Sequence, residues 1–282
     1  MKRILSIFAI LCVVLNLHGA RVVLGTEQTK EYLPLLKGKR VALLSNHTGV
    51  FIQGKDTIHT LDLLLKHGVE VTAIFSPEHG FRGTAREGEH VASSVDEKTG
   101  IPILSLYDGK NYRPSKEAMA TFDILITDIQ DVGLRFYTYY ITMFRLMDAC
   151  AHEDKQFVVF DRPNPNGWYV DGPILDMKYK SGVGALPIPV VHGMTLGELA
   201  LMINGEYWLY DSLKVDLTVI PCKNYTHQTL YRLPIAPSPN LRNMLSIYLY
   251  PALCLFEATP VSLGRGTDKP FLCYGQPNFN AP

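Results

Sequence analysis

Surplus charge, cysteine and long apolar runs are all scarce in this chain, and each scarcity excludes something. Its 282 residues carry 27 lysines and arginines against 27 aspartates and glutamates, for a formal net charge of zero. A balance of this kind advertises neither a basic surface for nucleic acid nor an acidic solvating tail. No nucleic-acid partner is expected. Of the 5 cysteines, Cys12 lies in the N-terminal apolar stretch without a lipobox around it. Cys150, Cys222, Cys254 and Cys273 have no close metal-ligand spacing, so no metal is expected. Buried free thiols are the preferred reading over a disulfide framework. There is no G-x-G-x-x-G after the first apolar run, no Walker A lysine loop and no G-x-S-x-G elbow. A dinucleotide, a P-loop nucleotide and a serine nucleophile all lose their usual signature, and no cofactor is expected. No internal repeat or low-complexity tract is visible.

What is present begins with a leader. Lys2 and Arg3 precede an apolar stretch over 4–17, and Gly19-Ala20 follows. That is the charged, apolar and small-residue order of a secretory signal, too short for a comfortable membrane span. Residues 1–20 are therefore expected to be a signal peptide, with a periplasmic or secreted product and no membrane span once it is removed. The remainder has the apolar content of a globular protein with a substantial core, at 47% hydrophobic and 19% charged residues overall.

Short β-rich apolar runs at 41–44, 71–75, 103–106, 124–127 and 157–160 each stop at polar residues. The runs are apolar on both faces, as strands of a buried parallel sheet must be. Helical periodicity lies between them at 57–67, 115–120 and 137–152. The alternation predicts an α/β fold, a Rossmann-like parallel sheet with helices on both faces, over residues 21–170. A smaller α+β second domain is expected over 171–282. Within it, Thr195 and Glu198 form a capping-box pattern, and 213–221 alternates like a strand.

The polar run-ends carry the candidate chemistry, because ligands of open α/β sheets bind beyond the carboxyl ends of the strands. Glu78 stands first. Pro77 fixes the chain leaving the strand, Gly80 and Gly83 permit tight turns, and Phe75 and Phe81 offer apolar walls that raise a carboxyl pKa. Such a group suits general acid work; a structural pairing with Arg82 or Arg86 is the plainer alternative. Glu89, Asp128 or Asp131 could supply a second carboxylate. Arg135 with Tyr137 and Tyr139 offers a guanidinium fork and aromatic faces to an anionic ring-shaped ligand, and either tyrosine could donate a proton. Asn46, His47, His79, Asp161 and Arg162 complete the rim. Arg265, in a charged glycine turn preceded by Glu257, is expected to close over the same cleft.

Several of these stretches form a set. Ser45-Asn46-His47-Thr48-Gly49, Ser76-Pro77-Glu78-His79-Gly80-Phe81-Arg82-Gly83 and Asp128-Ile129-Gln130-Asp131-Val132-Gly133 occur in that order. Arg135-Phe136-Tyr137-Thr138-Tyr139, Asp161-Arg162-Pro163-Asn164-Pro165, Pro237-Ser238-Pro239-Asn240 and Gly264-Arg265-Gly266-Thr267-Asp268-Lys269-Pro270 follow. Over residues 30–279 the chain resembles the bacterial DUF1343, or YbbC-like, family, which includes the NamZ exo-β-N-acetylmuramidases. The resemblance implies a glycoside hydrolase of peptidoglycan turnover that removes N-acetylmuramic acid from non-reducing ends. It implies a cleft between two domains, Glu78 as catalytic acid, and Tyr139 or Tyr137 nearby. It also gives Arg82, Arg135 or Arg265 a task on the lactyl carboxylate. Family members normally continue past Phe279, so the second domain is expected to be incomplete at Pro282. A cell-wall sugar-binding protein that uses the same cleft without cleavage is the competing reading.

Overall fold

A computed structural model describes residues 20–77, 81, 93–106, 113–277 and 279. The chain opens with helix α1 (Thr29–Leu36) and strand β1 (Arg40–Ser45), then a hairpin of β2 (Val50–Gln53) and β3 (Asp56–His59). Helix α2 (Thr60–Lys66) and strand β4 (Glu70–Ser76) follow, then β5 (Ser94–Val95), β6 (Pro102–Ser105), α3 (Lys116–Met119) and β7 (Ile124–Asp128). Helix α4 (Tyr139–His152), β8 (Gln156–Phe160), α5 (Leu196–Gly205), β9 (Asp216–Ile220) and α6 (Met244–Leu253) complete the regular elements. Each apolar run expected to be a strand is one, within a residue or two.

Seven strands form one sheet in the order β5-β6-β4-β1-β7-β8-β9, and only the short edge strand β5 runs antiparallel. Alternate residues of a strand face opposite sides, so each central strand feeds two cores. Ala42, Leu44, Phe75, Leu125, Phe157 and Val159 pack on one side with Tyr140, Met143 and Met147 of α4 and Leu199 of α5. Val41, Leu43, Ile74, Ile126, Val158 and Phe160 pack on the other with Tyr32 of α1 and Leu61 and Leu64 of α2. This is the α/β architecture with helices on both faces. The sheet and its cover extend beyond residue 170, since α5 packs on β8 and β9 is the edge strand beside β8.

One expected helix is shorter than its pattern. Residues 57–59 pair with 50–52 as part of β3, and α2 begins at Thr60. Gly54, in the left-handed region, opens a two-residue turn that closes the hairpin and takes those residues from the helix. The capping box at Thr195 and Glu198 forms as expected. Cys150, Cys222, Cys254 and Cys273 are free: Cys150 is buried as expected, whereas Cys273 is exposed. Among the described residues no helix is long and apolar enough to cross a membrane.

The N-terminal turn is locked against the far edge of the sheet at Gly25, whose N–H donates to the Asp161 carbonyl at 3.0 Å. A Cβ there would lie 2.5 Å from both the Asp161 nitrogen and the Ile220 oxygen, backbone atoms that cannot rotate away. Gly25→Ala should therefore cost about 1–3 kcal/mol, as overpacking does, read as a lower Tm in thermal unfolding. An unchanged Tm would mean that this contact opens freely.

Candidate active site

Without the hairpin and the antiparallel edge strand, the sheet order is β6-β4-β1-β7-β8-β9. The chain starts in the middle, winds outward to one edge, returns and winds to the other. The direction reverses between β1 and β7, which is where open α/β sheets bind ligands. Ser45 and Asp128 end those two strands side by side, and Ser45 Oγ donates to the Asp128 carbonyl at 2.8 Å.

That crevice is filled from within. Arg162, just past β8, reaches Asp128 through Nε at 2.5 Å and Nη2 at 2.9 Å, and its Nη1 donates to the Val50 carbonyl at 2.9 Å. Thr60 Oγ1 also donates to Asp128. Both charged side chains are almost wholly buried. Burial alone would lower the Arg162 pKa, but the Asp128 carboxylate beside it outweighs that and holds it raised. These two residues, expected at the rim, grip each other.

Asp161 is engaged in a similar way. Its carboxylate accepts from Thr195 Oγ1 at 2.7 Å and from the Gly197 N–H at 2.8 Å, so it caps α5. Burial still pushes its pKa up to about 6. Asn46 Oδ1 accepts from the Thr48 N–H and hydroxyl, at 2.9 and 2.6 Å, while its buried Nδ2 has no partner. Arg135, expected as an anion fork, is a backbone clamp here: Nη1 donates to the carbonyls of Pro173 and Ile188 at 2.6 and 2.8 Å.

Tyr137 and Tyr139 do meet. Their rings pack edge to face, 4.7 Å between centroids, and both hydroxyls donate to the Pro237 carbonyl, at 2.9 and 3.0 Å. His47 Nε2 lies 3.0 Å from the neighbouring Ala236 carbonyl. The proline-rich segment around 234–240 is thus strapped over the carboxyl ends by side chains from the loops after β1 and β7. Burial holds the Tyr137 phenol well above its usual pKa, so it is a neutral donor.

Beside the strap opens a cleft of about 630 Å³, walled by Tyr137, Tyr139, Asn240, Tyr250, Glu257 and Arg265 among others. Arg265 pairs with Glu257, and its guanidinium lies 5.5 Å from the centre of the Phe271 ring. Of the expected arginines among the described residues, Arg265 reaches this cleft. Tyr250 and Phe271 were not singled out from sequence, because an aromatic on an apolar helix or turn looks like any core residue. A groove of about 690 Å³ also opens at the amino ends of β1 and β4, among Lys30, Leu33, Lys37 and Val69. It lies at the end of the sheet where α/β proteins do not place ligands.

Glu78, His79, Arg82 and Glu89 lie outside the described residues. Their described neighbours Pro77 and Phe81 are both buried. Among the described residues no group of three or more His, Cys, Asp or Glu could hold a metal ion.

Residues 41–245 match the family described as exo-β-N-acetylmuramidase NamZ, N-terminal, and residues 248–282 match its C-terminal counterpart. The chain belongs to the NamZ family. It is 46% identical over 253 residues to the peptidoglycan β-N-acetylmuramidase NamZ of Bacillus subtilis (strain 168), covering 88% of this chain and 59% of the relative. The chain thus spans less than two thirds of that relative's length. Two crystal structures of DUF1343 family proteins from Bacteroides fragilis share the fold. One, 65% identical, superposes with a TM-score of 0.84 and covers 93% of this chain and 69% of its own. The other, 36% identical, gives 0.80, covering 90% and 65%.

Asp131, beneath the tyrosines, has a distinctive environment. Burial pushes its pKa up to about 7, opposed by the N–H groups of Gly133, Val132 and Tyr140 that face it. Oδ1 accepts from Gly133 at 2.7 Å, but Oδ2 has no hydrogen-bond partner among the described residues. The folded state holds this proton more tightly than the unfolded chain, so the group's contribution is complete below pH 3.8 and is lost as pH rises through about 7. Asp131→Asn removes the titration, so the stability of the variant relative to the parent should be greater at pH 8 than at pH 5. Denaturant unfolding at the two pH values tests this; a difference independent of pH would show that Asp131 stays ionised throughout.

Proposed function

We propose that this protein is an exo-acting glycoside hydrolase that releases N-acetylmuramic acid from the non-reducing end of peptidoglycan fragments, with Glu78 as general acid. The observation that carries the reading is the match of residues 41–245 to the NamZ N-terminal family, on a chain whose cleft opens beside Tyr137 and Tyr139. The basic and apolar leader supports export to the compartment where such fragments arise.

Muramic acid differs from its partner sugar by a lactyl ether that ends in a carboxylate. A cleft that selects it needs apolar walls for the ring and a cation for the acid. Arg265, which lines the cleft paired with Glu257, offers that cation. Tyr137, Tyr139 and Tyr250 supply the aromatic wall. In the cleavage step Glu78 donates its proton to the glycosidic oxygen as the bond from that oxygen to the anomeric carbon breaks. Water then supplies hydroxide to the anomeric carbon, and its remaining proton restores the acid.

Two variants test separate parts of this reading on a chromogenic β-N-acetylmuramide. Glu78→Gln should lower kcat by about 10²–10⁴-fold. Arg265→Ala should raise KM by about 10–100-fold, the worth of a charge-assisted hydrogen bond, with a smaller effect on kcat. Saturable binding of muramic acid without turnover by the parent protein would favour a sugar-binding protein instead.

A further inference from the structure

The carboxylates expected beside Glu78 were Glu89, Asp128 and Asp131, but among the described residues the acid that walls the cleft is Glu257. Both of its oxygens are engaged. Oε1 pairs with Arg265 Nη2, and Oε2 accepts from the Cys254 thiol at 3.2 Å. Glu257 lies in the 3-10 turn Cys254–Ala258 that follows α6. Arg265 lies between Gly264 and Gly266, in a turn closed by the Thr267 N–H on the Gly264 carbonyl at 3.1 Å. With the Phe271 ring beside it, its guanidinium is held by a carboxylate and an aromatic face. Of the two side chains, 37% of Arg265 and 27% of Glu257 are exposed, which leaves the pair within reach of a ligand in the cleft.

One carboxylate thus already sits on the cation that muramic acid would use. A guanidinium beside a carboxylate presents a ligand with a nearly neutral pair rather than a lone positive charge. A ligand carboxylate that reaches Arg265 must share its donors with Glu257 or displace it. The like charge of Glu257 opposes it in either case. An anion that touches Arg265 alone gains little, because Glu257 already satisfies that group. A sugar acid gains more, because its ring also meets the aromatic wall of Tyr137, Tyr139 and Tyr250.

We propose that Glu257 is a specificity-determining residue: it is the internal rival of the ligand's carboxylate for Arg265, and it resumes the pair as the acid leaves. This rests on the reading of Arg265 as the partner of the lactyl carboxylate. Its consequences are specific. Anionic sugars bind more tightly without Glu257, and neutral sugars are indifferent to it. Released N-acetylmuramic acid still carries its carboxylate, so the same rivalry limits inhibition by product.

The test measures binding of N-acetylmuramic acid and of N-acetylglucosamine, the same ring without the lactyl ether, by calorimetry on the full chain. Glu257→Gln should tighten N-acetylmuramic acid about two- to fivefold, the strength of a partly exposed ion pair, and leave N-acetylglucosamine unchanged. Glu257→Ala removes the same charge and serves if Glu257→Gln does not fold. In turnover of a chromogenic β-N-acetylmuramide, the Ki of added N-acetylmuramic acid should fall by the same factor. Equal or weaker binding of N-acetylmuramic acid by the Glu257 variants, with Arg265→Ala also weakened, would reduce Glu257 to a support for Arg265. That result overturns the inference and leaves the recognition reading intact. Equal tightening of both sugars would overturn it as well, since charge would then not be the cause. Parental affinity in Arg265→Ala, or no saturable binding of N-acetylmuramic acid by the parent, would overturn the recognition reading and this inference with it.

Discussion

The ion pair between Arg162 and Asp128 sits where the winding of the sheet reverses, and four separate stretches of chain converge on it. Asp128 ends β7, Arg162 follows β8, Val50 opens the hairpin and Thr60 opens α2. Burying two charges costs several kcal/mol each unless geometry and further hydrogen bonds compensate. Here the guanidinium reaches both carboxylate oxygens and a carbonyl, and a hydroxyl completes the carboxylate. Loss of either partner would leave a stranded charge at the centre of the molecule. The pair also fills, with the protein's own side chains, the crevice at the point where open α/β sheets bind ligands.

With the crevice closed, the accessible cleft is displaced to the side and depends on the proline-rich strap. A chain with prolines at 234, 237 and 239 has few N–H groups to anchor itself, so its carbonyls must do the work. Ala236 and Pro237 offer theirs to His47 and Tyr137, in the loops after β1 and β7, and to Tyr139, the first residue of α4. Two phenols on one carbonyl leave that oxygen well satisfied and place both rings in the cleft wall. The tyrosines therefore have a structural duty that any catalytic duty must share. A variant lacking one hydroxyl disturbs the strap and the wall together, which makes Glu78 and Arg265 the cleaner probes of chemistry and recognition.

Much of this fold was legible in the residues, for a physical reason. Strands such as 124–128 are buried on both faces, and nothing but a continuous β-branched and aliphatic run satisfies that position. The hairpin at 50–59 was not legible, because β3 carries polar residues and runs into the apolar helix α2, so its end reads as part of that helix. The site divides along the same line. Its location at the run-ends followed from local patterning, but the duties of its charged groups did not. Arg135 and Arg265 each follow a glycine within two residues, and sequence does not tell their duties apart. Only tertiary structure brings the carbonyls of Pro173 and Ile188 to the first and leaves the second against the cleft. Asp161 likewise became a helix cap through Thr195, 34 positions away. Partners at such separations are set by topology rather than by local preference. His59, the N-cap of α2, is the strongest case. Its three contacts come from its own helix, from the exit of β1 and from Phe81, and it belongs to none of the motifs that identify the family.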